Sequence, residues 1–192
     1  MIVGLDIDGV VADFLSPFLL VLEKRVGNGP IPVDSITDFG FKEHPILSEQ
    51  DVWNCMEAVS YDPPFWQNLP SLITPGEWCS LENLSREHRL VFITHRYVRD
   101  TYDIHGVTCD WLKMHGISEP VVHFTEEDKA ELVQQLGIQL FVDDRYENCR
   151  DVADKTRAIV LMPHRPYNQS FNHPRIKRIR DLNAMFSYLQ EA

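Results

Sequence analysis

Short apolar runs alternate with longer amphipathic stretches along much of this chain, and each run ends in a polar cluster. Met1 to Leu5 stops at Asp6, the pattern of a buried strand in a parallel sheet that delivers its carboxyl end to a polar loop. The pattern recurs at Leu90-Val91-Phe92-Ile93 before Thr94-His95-Arg96, at Pro120 to Phe124 before Thr125-Glu126-Glu127, and at Gln139 to Val142 before Asp143-Asp144-Arg145. Helical periodicity fills the gaps, over Thr101 to His115 stopped by Gly116, Glu127 to Leu136 stopped by Gly137, and Tyr146 to Lys155. Strands alternating with helices of this length predict right-handed βαβ units and an α/β fold with a doubly wound parallel sheet. Such sheets place their sites at the carboxyl ends of the strands, where these polar clusters fall.

The interval from Phe14 to about Arg86 reads differently. It has no comparable strand, holds eight of the twelve prolines, and offers amphipathic segments near Pro17 to Val26, Ser48 to Val59 and Pro75 to Arg86. Short helices separated by prolines predict a small helical cap inserted after the first strand. The expected division is an α/β core from residues 1–13 and 87–192 and a cap from 14–86. Beyond Thr156 the chain predicts a strand at Ala158 to Met162, a short one at Ile176 to Ile179 and a closing helix at Leu182 to Gln190.

Composition narrows the partners. The chain has 192 residues, 18 Lys and Arg against 29 Asp and Glu, a formal net charge of -11 and 44% hydrophobic residues, which suits one core with an appended subdomain. An acidic body is repelled by polyanions, so strong nucleic-acid binding through a broad basic face is not expected, whereas a small anion in one pocket is allowed. The four cysteines (Cys55, Cys79, Cys109, Cys149) are widely spaced with no CxxC pair, which predicts free thiols, no zinc site and a reducing compartment. The apolar stretch Phe14 to Leu22 contains Ser16 and Pro17 and is too short to span a bilayer, so the expectation is a cytoplasmic protein with no membrane partner.

The polar clusters carry candidate chemistry. A carboxylate leaving a strand, as Asp6 does, serves as a nucleophile toward phosphorus or as an oxygen ligand for Mg²⁺. If Asp6 attacks a phosphomonoester, a second carboxyl must protonate the leaving oxygen and later activate water, and Asp8 stands in place for that. Gly9 permits a tight turn. The Thr94 hydroxyl with the backbone N–H groups after it makes a cradle for phosphate oxygens. Lys129 could neutralise phosphate and aspartate together, and Asp143-Asp144 at a strand end calls for a cation. Each has an ordinary use alone, as acidic turn, helix cap or solvated lysine; together, at successive strand ends, they point to one site.

That order resembles the haloacid dehalogenase-like (HAD) superfamily of aspartate-nucleophile phosphatases, with their DxD, Ser/Thr, Lys and terminal acidic-pair motifs. Asp6-Ile7-Asp8-Gly9-Val10-Val11-Ala12-Asp13-Phe14, Phe92-Ile93-Thr94-His95-Arg96, Thr108-Cys109-Asp110-Trp111-Leu112, Val142-Asp143-Asp144-Arg145 and Pro166-Tyr167-Asn168 further resemble the 5'(3')-deoxyribonucleotidase family. The resemblance implies a Rossmannoid core with a cap, and hydrolysis of nucleoside monophosphates through an aspartyl-phosphate on Asp6 with Asp8 as acid and base. It implies Mg²⁺ held by the Asp6 carboxylate, the Asp8 main-chain carbonyl and Asp144, with Asp143 beside it. Thr94, His95 through its backbone N–H, and Lys129 would hold the phosphoryl group. Phe14 would stack on the base, with Arg96 and Arg145 as further substrate contacts.

His95 stands where related sequences more often have a small residue, and the cap aromatics Phe39, Phe41, Phe65 and Trp66 are read as cap core before pocket wall. Three other readings stay open: the same chemistry on a sugar phosphate or other small phosphomonoester, a non-catalytic module on the same scaffold, and a 3'-phosphatase of nucleic-acid ends. The last draws on the window His164 to Arg180, which holds five Arg and Lys residues and no acid. A homodimer is likewise open.

Overall fold

A computed structural model describes residues 1–27, 29–126 and 128–190. Among the described residues six strands form one sheet: β1 (Ile2–Leu5), β2 (Arg89–Thr94), β3 (Val122–Phe124), β4 (Leu140–Val142), β5 (Ile159–Pro163) and β6 (Ile176–Ile179). Their spatial order is β3-β2-β1-β4-β5-β6 and every pairing is parallel. The order reverses between β1 and β4, so loops leaving those two strands diverge and open a crevice at their carboxyl ends.

The sheet is covered on both faces, which is why its strands read as unbroken apolar runs. Val3, Leu5, Leu90, Phe92, Leu140 and Val142 face one core, packed with helices α1 (Leu15–Val26), α2 (Glu49–Ser60), α3 (Pro63–Gln67), α4 (Pro75–Glu87), α5 (Ile104–Met114) and α8 (Leu182–Gln190). Val91, Ile93, Phe141, Val160 and Met162 face the other, against α6 (Lys129–Leu136) and α7 (Tyr146–Lys155).

Local chemistry sets the helix ends. Thr74 and Glu77 form a capping box on α4, and Gly27 and Gly137 close α1 and α6 in the left-handed conformation. Residues 101–103 stay out of α5 although the pattern includes them, because Asp103 caps the helix by accepting from the Gly106 N–H and Arg99 bridges Tyr102. Glu127, expected to open α6, lies outside the described residues; the helix runs from Lys129, capped by Asp128. Helix α3 has no counterpart in the periodicity, since five residues are too few to show any; its two prolines sit in the first turn, where a missing N–H costs nothing.

Helix α4 is fastened to the sheet side of the molecule. Glu77 accepts from the Leu182 N–H at 3.0 Å, and the Trp78 ring meets those of Trp111 and His115. Helices α1, α2 and α3 lie beyond it and pack on one another, with α3 also touching α5. All four cysteines are free thiols. Among the described residues, no helix is long and apolar enough to cross a membrane.

Candidate active site

The loop after β1 is a compact, hydrogen-bonded turn. Asp6 N–H continues the sheet by donating to the Val142 carbonyl at 2.8 Å, then Val11 and Ala12 donate back to the Ile7 carbonyl at 2.9 Å each. Gly9 adopts φ +77°, and a Cβ on it would lie 2.1 Å from Oδ2 of Asp144. Only glycine allows this loop to lie so close to the one after β4.

Three carboxylates and one lysine meet beneath this turn. Lys129, wholly buried in the first turn of α6, places Nζ 2.9 Å from Asp6 Oδ2 and 2.8 Å from Asp143 Oδ2. Asp143 also accepts from the Arg145 N–H at 2.8 Å and from Asn148 Nδ2 at 3.2 and 3.1 Å, so its carboxylate is fully braced. Burial drives the Asp6 carboxyl well above its ordinary value; Lys129 pulls it part of the way back and Asp143, Asp144 and Asp8 push it up again. Burial and then the Asp143 charge raise Asp144 to about 7. Lys129 is pulled down by burial, but the Asp143 and Asp6 carboxylates outweigh that and hold it above its usual value.

This excess of buried negative charge tests the fit to a metal. Carboxylate oxygens of Asp6, Asp143 and Asp144 lie within 4.8 Å of one another. One lysine does not balance three such groups, and an all-oxygen donor set suits a hard divalent cation such as Mg²⁺, whose charge would reverse the upward shifts. The cluster fits that ion.

Asp8 belongs to a second arrangement at the mouth. Arg96 binds it through both oxygens, Nη2 to Oδ1 at 2.7 Å and Nε to Oδ2 at 2.9 Å. The Thr94 hydroxyl lies 3.5 Å from Asp8 Oδ2. The Arg96 guanidinium is itself buried, held by Thr108 Oγ1 at 3.0 Å and stacked 4.9 Å from the Trp66 ring of α3. The paired forks fix the Asp8 carboxylate beside the crevice.

The segment 165–168 contributes residues that sequence reasoning left out of the site. Arg165 Nε donates to the Gly9 carbonyl at 2.8 Å, the Tyr167 hydroxyl donates to Asp144 Oδ2, and Asn168 Nδ2 donates to the Asp144 carbonyl at 2.7 Å. Burial and the neighbouring Asp144 push the Tyr167 hydroxyl well above its ordinary value. Pro166-Tyr167-Asn168 did mark the segment; which side chain reaches which loop is set only by tertiary contact.

A cavity of about 410 Å³ opens above these groups. Its polar floor includes Asp6, Asp8, Thr94, His95, Arg96, Asp144 and Arg145, so the site residues expected from sequence converge on it, while Lys129 and Asp143 lie beneath. Its upper wall is apolar and comes mainly from residues 14–72: Phe14, Ile36, Phe41, Met56, Trp66 and Leu72 among others. Phe14 packs near-parallel against the rings of Phe18 and Trp66, at 5.0 and 5.7 Å, and lines the cavity as well. Trp66 is buried in the core and Phe41 and Phe65 pack against it, as read from the sequence; Trp66 and Phe41 line the cavity as well, Phe39 lines it while staying outside that core, and Phe65 packs edge-on behind Phe14. Arg145 pairs with Glu147 at 3.2 Å and lies 4.6 Å over the Phe39 ring.

Comparison with known proteins agrees with this geometry. The family described as "5' nucleotidase, deoxy (Pyrimidine), cytosolic type C protein" matches residues 1–189. "Putative nucleotidase YqfW" of Bacillus subtilis is 27% identical over 172 residues, covering 86% of this chain and 81% of its own. "Putative nucleotidase BH1399" of Halalkalibacterium halodurans is 24% identical over 191 residues, covering 98% and 92%. Among solved structures, a hydrolase from Pseudomonas syringae superposes with a TM-score of 0.61 at 13% identity over 100% of this chain and 99% of that one. A HAD-superfamily hydrolase of subfamily IA from Geobacter sulfurreducens gives 0.57 at 15% identity, covering 98% and 95%. The two structures speak to the fold, which is HAD-like.

Proposed function

The chain belongs to the cytosolic type C 5' nucleotidase family, a hydrolase of phosphate monoesters, and from that premise we propose a Mg²⁺-dependent phosphatase of nucleoside monophosphates, preferring deoxyribonucleotides. The observation that carries this reading is the convergence of Asp6, Lys129 and the Asp143-Asp144 pair beneath a cavity whose far wall is aromatic. A charged floor and an apolar wall suit a ligand with a phosphate at one end and a flat ring at the other.

In this mechanism an Asp6 oxygen attacks phosphorus, Asp8 protonates the departing ester oxygen, and an aspartyl-phosphate forms on Asp6. Asp8, now a base, takes a proton from water as it attacks that phosphorus, releasing inorganic phosphate and restoring Asp6. Thr94, the His95 backbone N–H and Lys129 hold the phosphoryl oxygens where charge accumulates. The Asp6 carboxylate, the Asp8 carbonyl and Asp144, with Asp143 beside it, would hold Mg²⁺, which would supply when bound the positive charge that lets a phosphate dianion approach these acids. Phe14 offers its ring to the base, and Arg96 and Arg145 border the substrate.

In this reading residues 1–13 and 87–192 form the core and residues 14–86 the cap. Residues 14–86 carry the cover, of which α1 to α3 supply the cavity wall and α4 is the segment fastened to the core. A cover of this kind favours a small substrate and excludes water. Binding of nucleic-acid ends finds little support in the basic window, because Arg165, Arg175 and Arg178 are engaged with backbone carbonyls of the fold. A cytoplasmic location and free thiols are consistent with one another.

Turnover on a panel of nucleoside monophosphates and sugar phosphates, with Mg²⁺ and with EDTA, tests the reading. Deoxyribonucleotides should be preferred, EDTA should stop release of phosphate, and Asp6→Asn should abolish it while leaving the fold intact. Preference for sugar phosphates over every nucleotide would reject the nucleotidase reading, and a fully active Asp6→Asn would reject the aspartyl-phosphate.

A further inference from the structure

Tyr167 is more than nine-tenths buried, and its hydroxyl turns inward to donate to Asp144 Oδ2. The pair lies against the α-carbon of Gly9, where a Cβ would be 2.1 Å from that carboxylate oxygen and 2.8 Å from the tyrosine hydroxyl. Neither group can swing across that side. The neighbours in sequence tighten the arrangement: Asn168 donates to the main-chain carbonyl of Asp144 at 2.7 Å, and Arg165 donates to the carbonyl of Gly9 at 2.8 Å. Three donors from four consecutive residues thus hold the loop after β1 and the loop after β4 at a set spacing. On its outer side the Tyr167 ring meets Phe39 edge-on at 5.8 Å, and the Arg145 guanidinium covers Phe39 from above.

We propose that Tyr167 is a positioning residue for Asp144: its hydroxyl occupies one carboxylate oxygen, leaves the other as the oxygen offered to a divalent cation, and is seated from the cap side by Phe39. This rests on the reading of Asp144 as a metal-holding residue. A carboxylate with both oxygens unclaimed can rotate and can chelate an ion in more than one way; a fixed donor on one oxygen removes that freedom before the ion arrives, so less order is lost on binding. A buried tyrosine needs some partner for its hydroxyl in any case, and a packing role alone would leave ion affinity untouched. The property that falls when the hydroxyl is deleted therefore separates the two roles.

Tyr167→Phe keeps the ring and its contact with Phe39 while removing only the hydroxyl. The probe is Mn²⁺ alone, titrated into the full chain without substrate and read by the paramagnetic signal of the free ion, well below the melting transitions of all variants. Tyr167→Phe should weaken Mn²⁺ binding about 10- to 100-fold, the range found for partners of metal ligands. Turnover at saturating Mg²⁺ should return to near the parental kcat, and Asp144→Asn should lose Mn²⁺ binding more completely. If Tyr167→Phe binds Mn²⁺ as the parent does while Asp144→Asn is defective, the inference is overturned and the metal reading stands, and a lowered melting temperature in that variant then assigns Tyr167 to packing. If Asp144→Asn also binds as the parent does, the metal reading itself has failed.

Discussion

Replacing Lys129 by Met should destabilise the metal-free protein severely, and in a pH-dependent way. The lysine is wholly buried, with Nζ 2.9 Å from Asp6 and 2.8 Å from Asp143. Methionine fills nearly the same volume, so little cavity is created and the loss is electrostatic. Removing one partner of a buried ion pair and leaving the other uncompensated costs about 3–5 kcal/mol; at 1.4 kcal/mol per tenfold this lowers the folded-to-unfolded ratio by roughly two to three and a half orders of magnitude. The cost depends on ionisation. Asp6 and Asp144 already sit above their ordinary 3.8 because of burial, and Asp6 rises further once Lys129 no longer pulls it down. Between 3.8 and the raised values the folded chain binds more protons than the unfolded one, so these groups favour folding in acid and lose that contribution as pH rises. Urea unfolding of parent and variant in EDTA, near pH 7 and near pH 5, measures this. The gap should be widest near pH 7 and narrow near pH 5. A gap below about 1 kcal/mol near pH 7, or one unchanged by acid, would refute the account of Lys129 as the charge that makes this cluster tolerable.

Gly9→Ala should abolish turnover and lower stability by about 1–3 kcal/mol, because φ is +77° and the new Cβ would lie 2.1 Å from Asp144; thermal denaturation and phosphate release check both. Phe39→Ala, at a ring 46% exposed, should leave the melting temperature nearly unchanged and raise KM for a nucleoside monophosphate several-fold, about 1 kcal/mol of lost contact. Burial first, then Arg89 and His105, hold His123 below its ordinary 6.5. The unfolded chain therefore binds more protons there as pH falls through 6.5, stability contributed above that pH is lost below it, and His123→Leu should flatten the acid limb of the urea midpoint profile. A thiol reagent should label Cys79 at once in the native protein, and Cys55, Cys109 and Cys149 only on unfolding.

The period of the sequence was enough for the sheet. Runs such as Val3 to Leu5 and Leu90 to Ile93 are apolar on both faces, which happens only where helices cover both sides, and Gly116 and Gly137 mark the ends of their helical segments as a left-handed turn requires. The acidic, hydroxyl and lysine residues were legible for the same reason: each follows a strand or opens a helix, and the parallel topology carries all of them to one edge. Short segments were not legible. Helix α3 is one turn and a fraction, and the segment 36–48 has no period, yet they bring Trp66 and Phe39 to the cavity.

The sequence by itself determined which residue types stand at the ends of β1, β2 and β4, because local periodicity and the spacing of polar clusters depend on nearest neighbours along the chain. Only the tertiary structure decided what each of them touches. Arg96, two residues beyond Thr94 in sequence, turns to Asp8; Tyr167, more than twenty residues beyond Asp144, supplies its hydroxyl donor; Lys129 bridges two acids from different strands. Such contacts are set by how the loops of a twisted sheet diverge and by which buried charges must be compensated, and neither is written in any local pattern.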